Sequence, residues 1–83
     1  MSVECERLQV EYDHLRVELQ PQIDSLNREI APLREQLKRA TDDDVKSDLR
    51  DQIAAREEQR DPMVRQIQAK AKELADCRAQ EEP

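Results

Sequence analysis

The chain of 83 residues contains no glycine, tryptophan or phenylalanine and a single tyrosine. Without glycine there is no ordinary source of positive φ, which excludes phosphate-cradling loops, dinucleotide fingerprints and the tight turns of β-hairpins. Without large aromatics, a layered sheet domain of this length has too little to bury. Long apolar runs are missing too: nothing approaches the roughly twenty residues needed to cross a bilayer. The acidic start Ser2-Val3-Glu4-Cys5-Glu6 is unlike a signal peptide, so a soluble cytoplasmic protein with no membrane attachment is expected. The two cysteines, Cys5 and Cys77, have no CxxC spacing and no histidine partner, so neither a zinc site nor a dense disulfide framework is indicated.

Charge is abundant and mixed. Acidic residues number 20 against 14 basic, for a net charge of −6, and both halves of the chain are acidic on balance. No lysine or arginine cluster could release counterions along a phosphate backbone, and no aromatics are interleaved for base stacking, so no nucleic-acid partner is expected. The run Asp42-Asp43-Asp44 lacks the alternating ligands and turn glycine of a calcium loop. His14, the only histidine, has no positioned partner, and no nucleophile, base and orienting group recur together. The composition therefore points away from an enzyme, and no cofactor, metal or small-molecule substrate is expected.

What the sequence does contain is apolar periodicity. Cys5, Leu8, Tyr12, Leu15 and Leu19 follow a 3-4-3-4 spacing that places them on one helical seam. The seam continues through Ile23, Leu26, Ile30, Leu33, Leu37 and Ala40, with a stutter where two steps of four meet at Leu19 and Ile23. Positions 44, 47 and 51 should extend it but are Asp44, Ser47 and Asp51. A stripe in new phase then runs through Val45, Leu49, Ile53, Met63, Ile67, Ala71 and Leu74. At the break, Thr41 or Asp42 can cap a new helix whose first turn is acidic, and Lys38 and Arg39 suit the end of the preceding one.

These signals predict an all-α fold, an antiparallel helical hairpin of coiled-coil character occupying residues 1–83 as a single domain. The turn falls near Ala40–Asp43, with one arm over about 3–40 and the other over about 43–80. Facing residues should have numbers summing to about 82: Leu37 with Val45, Leu33 with Leu49, Ile30 with Ile53, Leu19 with Met63, Leu15 with Ile67, Leu8 with Leu74 and Cys5 with Cys77. Leu26 would face Arg56, whose guanidinium, with that of Arg60, would reach water or Asp24 and Glu29, either as a polar layer that sets register or as a loosely packed stretch of the coil. Pro21 and Pro62 share one level, predicting a kink there and a joint at Asp61-Pro62, while Pro32 predicts a local bend. Disulfide formation needs Cα atoms within about 7 Å, tighter than helix pairs at about 8–10 Å, so reduced, buried thiols are expected. A parallel rod of about 125 Å, broken at Thr41, is the competing architecture.

A second stripe carries the functional expectation. With Cys5 assigned to heptad position a, Val3, Val10 and Val17 all fall at f. An f position lies about 170° from the middle of the seam, on the far side of the helix. One hairpin partner cannot cover both faces. The pattern resembles helical-hairpin coiled coils in general, and lacks the tryptophan and glycine that small secreted hairpins of the WXG type carry at their bend. The hairpin and its second stripe lead to the expectation of a structural or adaptor protein whose helical faces mediate assembly, by self-association or as a subunit of a larger complex. A regulatory inhibitor or chaperone-like binder, opening at its proline-weakened middle, is the alternative.

Overall fold

The computed structural model describes residues 2–81. They form two helices, α1 over Val3–Arg39 and α2 over Asp43–Glu81, folded into an antiparallel hairpin measuring 60 × 23 × 15 Å. No strand occurs among the described residues. The first helix has 37 residues. At about 1.5 Å of rise per residue a helix of that size is about 56 Å long, so the long dimension is one arm rather than the sum of two. This is the hairpin and not the rod.

Local signals fix both ends of α1. Ser2 is its N-cap, with extended backbone, and its side chain accepts a hydrogen bond from the Cys5 amide at 3.2 Å. That bond satisfies one of the amides that a helix start leaves without a partner. Glu4 and Glu6 lie in the first turn, and Lys38 and Arg39 in the last, where each sign of charge complements the helix dipole. Ala40 ends the helix in extended conformation, its N–H returning to the carbonyls of Gln36 and Leu37. Asp42 then starts α2: its carboxylate accepts from the amides of Asp44 at 2.8 Å and Val45 at 3.2 Å. No described residue has a positive φ, so the turn is built from extended backbone and a side-chain cap, as a chain without glycine requires.

The core is one narrow seam. Cys5, Leu8, Leu19, Ile23, Leu26 and Ile30 from α1 pack with Leu49, Ile53 and Leu74 from α2, and Ile30 is covered almost completely. Leu15, Leu33, Leu37, Met63 and Ile67 are half-buried, because two helices enclose only a strip between them. Val45 departs from its expected place in the seam and is 48% exposed. It sits in the first turn of α2, where its amide bonds to the Asp42 cap, and no layer of the hairpin lies beyond it.

The prolines do not divide either arm. Pro21 and Pro32 lie inside α1 and Pro62 inside α2, yet both helices run without interruption, and the joint expected at Asp61-Pro62 is absent. All three prolines are exposed, so the carbonyls that lose a backbone donor lie toward water. Beside Pro21, the Gln22 side-chain amide donates to the Glu18 carbonyl at 3.0 Å. Asp61 is occupied by Arg60, with Nε to Oδ1 at 3.0 Å, rather than serving as a cap.

The cysteines correct another expectation. Cys5 and Cys77 form a disulfide, with Cα atoms 5.8 Å apart, across a sequence separation of 72 residues. The usual spacing of helix pairs, about 8–10 Å, is set by larger side chains at the contact, whereas two opposed cysteines at the open end let the backbones come nearer. Constraining so long a loop in the unfolded chain stabilises the hairpin by about 2–4 kcal/mol. The bond also pins the register at the end opposite the turn.

Native-state amide exchange should therefore be slowest around Ile30 and Ile53 and faster, within the arms, near residues 56–64, where α2 buries no apolar side chain. Reduction of the disulfide should add fast exchange at residues 3–8 and 74–80 while leaving the Ile30/Ile53 level protected. Equal protection along both arms, before and after reduction, would contradict this account.

Candidate protein-interaction surface

The polar side chains divide between those that lock the two helices together and those left facing outward. In the middle of the hairpin α2 buries no apolar residue between Ile53 and Leu74, and arginines occupy that interval. Arg56 Nε reaches Glu29 Oε1 at 3.3 Å, and its other end donates to the Gln52 carbonyl at 3.0 Å. Arg60 donates to Asn27 Oδ1 at 2.9 Å and pairs with Glu57 at 3.6 Å, and Glu57 in turn pairs with Arg34 of α1 at 3.6 Å. The Arg60 side chain is only 19% exposed, so its stem closes the seam while its guanidinium meets the polar groups at the rim. Of the two acids expected to receive these arginines, Glu29 does and Asp24 does not; Asp24 accepts from Gln20 instead.

A second cross-helix lock lies nearer the open end. Lys70 Nζ is 2.9 Å from Glu11 on α1 and 3.1 Å from Glu73 on its own helix. The hydrogen bond from Lys70 holds the Glu11 carboxyl below its ordinary value of 4.5, and the bonds to Glu11 and then Glu73 raise Lys70 above its ordinary 10.5. At the same end Arg78 bonds to Gln9, and the Ser2 amide bonds to Glu81, whose carboxyl is held low by the Ser2 side chain first and by that amide second. Along α1 itself, Glu35 pairs with Arg39 at 4.0 Å. Asp42 is committed to capping and Asp61 to Arg60.

Sequence reasoning missed the Lys70–Glu11 lock and the Ser2 cap. Both had a signal. Residues 11 and 70 carry opposite charge at facing levels of the register, and Ser2 directly precedes the apolar periodicity and two acids.

Outside the seam, Val3, Val10 and Val17 stand exposed at 83%, 53% and 78%, all on α1 and directed away from α2. No opposing helix covers this face. His14 is also exposed and lies on the same outward side. The only aromatic ring, Tyr12, is half-buried with the Arg16 guanidinium 5.9 Å from its centre. Concave surface is scarce: a shallow groove of about 350 Å³ at the open end is lined by Glu4, Arg7, Leu8, Glu73, Asp76 and Cys77, with Gln80. Among the described residues no group of histidine, cysteine, aspartate or glutamate side chains is arranged to hold a metal ion. No described helix is long and apolar enough to cross a membrane.

The Glu11–Lys70 pair gives a signed pH dependence. Because the Glu11 value is lowered in the fold, its contribution is present above its ordinary 4.5 and is lost as pH falls through the lowered value. Because the Lys70 value is raised, its contribution is complete below 10.5 and is lost as pH rises through the raised value. Stability should therefore hold between these limits, and Glu11→Gln should flatten the acid limb of a melting-temperature profile. An unchanged acid limb in that variant would remove the pair from the account.

No family model matches the chain, and no curated protein or solved structure is similar to it.

Proposed function

We propose that the protein is a structural or adaptor element that mediates protein assembly through the outward faces of its helical hairpin. The observation that carries this reading is the exposed stripe of Val3, Val10 and Val17, repeating every seven residues on the side of α1 opposite the seam. Isolated exposed valines are common on protein surfaces, but a regular row supplies one of the two apolar positions per heptad by which one helix packs on another.

The overall surface supports the same reading. The hairpin has a mass of 9.8 kDa and exposes 6104 Å². A compact monomer of that size exposes roughly 5200 Å². An elongated two-helix unit leaves burial to be supplied by association. The exposed histidine and the shallow, charge-rimmed groove at the open end are in keeping with a binding role.

An inhibitor or chaperone that opens its arms to clasp a target is less well supported. The capped turn ties one end of the hairpin and the Cys5–Cys77 bond ties the other, which favours a rigid presenting surface. Disulfides persist chiefly in oxidising compartments, so this bond, more than the composition, bears on where the protein works.

Replacing Val3, Val10 and Val17 together by glutamate should leave helical content and seam packing intact, since none of the three is buried. The same change should lower the assembly state measured by sedimentation or abolish partner capture. A triple variant with the native mass in solution and the native set of partners would refute the reading.

A further inference from the structure

The residues beside the valine stripe specify what covers it. On the α1 helix, Glu6 and Asp13 border the row on one side, and Arg7 and His14 border it on the other. One step further out, Arg16 lies beyond the acidic border and Glu18 beyond the basic one. The row is thus flanked by two acids on one side and by Arg7 on the other, with the signs reversed one step further out. Seven residues beyond Val17 stands Asp24, which ends it.

Resting on the assembly reading above, we infer that the face is a homodimer interface in which α1 of a second copy packs in parallel. Two helices related by a two-fold axis along their length bring opposite borders together. Glu6 and Asp13 then meet the second copy's Arg7 and His14, while Arg16 meets the second copy's Glu18, and each valine meets its own counterpart. An antiparallel pairing brings like borders together, setting Glu6 against the second copy's Asp13 and Arg7 against its His14. Charge pattern therefore selects the parallel arrangement through Glu6 with Arg7 and Arg16 with Glu18 on both sides, and rejects the antiparallel one through repulsion between Glu6 and Asp13.

The geometry of the hairpin permits this packing. The stripe lies opposite the seam, so two hairpins joined along it place both α1 helices at the centre and both α2 helices outside. The borders carry only exposed prior contacts: Arg7 pairs with its own Glu11 at 3.7 Å, Asp13 accepts from the Gln9 side chain at 3.0 Å, and Arg16 lies over Tyr12. Val3 to Val17 covers about 21 Å of helix, a short contact of the size found in reversible dimers. The open ends, each closed by its disulfide, lie at the same end of the dimer.

Site-directed crosslinking of the full chain tests the inference. Val17→Cys, incubated with oxidised glutathione, should give interchain dimers through residue 17, well above the yield of a control Ser47→Cys on α2. A mixture of Val3→Cys and Val17→Cys chains should give the two like-with-like products and little of the mixed one. In sedimentation, Glu6→Lys with Asp13→Lys should weaken dimerisation by roughly tenfold, and adding Arg7→Glu and His14→Glu should restore it. Predominance of the mixed 3–17 product, or a wild-type chain monomeric at every concentration up to the millimolar range, would overturn it. In the monomeric case, a triple valine variant that still lost capture of another protein would leave the assembly reading standing while the second-copy inference fell.

Discussion

The structure depends on one constraint, the antiparallel register of two long helices that share a single seam. A narrow seam between two helices does not specify register strongly by itself, because any two heptad patterns can be laid against each other in several ways. Here the register is pinned at both ends. The Asp42 cap fixes where α2 begins, and the Cys5–Cys77 bond fixes which residues face each other 72 positions apart. The layers from Ile30 and Ile53 to Leu8 and Leu74 then fall into place between them.

The interior of the hairpin shows how few apolar groups such a design needs when polar ones are placed to assist. Between Ile53 and Leu74, α2 contributes half-buried Met63 and Ile67 and the stems of Arg56 and Arg60. The guanidinium groups reach across to Glu29 and Asn27, and Lys70 reaches Glu11, so partners out of register would lose specific contacts. Such exposed pairs add little stability individually, and their worth lies in selecting one alignment over others. The proposed dimer would use the same division of labour on the outer face of α1, with the exposed valines for contact and the bordering charges for orientation.

Much of this was legible in the sequence because it is written in periodicity and capping, which are local. The seam from Cys5 to Leu37, the restart at Asp42 and the outward valines follow from 3.6-residue geometry alone. What was not legible depends on context between the helices. The break expected at Asp61-Pro62 read a capping signal correctly as chemistry, yet Arg60 takes that carboxylate and the helix continues past an exposed proline. The reduced thiols expected from average helix spacing missed that small residues permit a closer approach, 5.8 Å between Cα atoms. Val45 fitted the stripe but lies too near the turn to be covered.

The central claim is that the chain folds back on itself at Thr41, and small-angle scattering from the wild-type protein tests it most directly. A hairpin gives a particle about 60 Å long, whether single or paired side by side along α1. A chain that continued through Thr41 as a rod would extend to about 125 Å. A maximum dimension close to the former is the predicted result, and one close to the latter would contradict the account.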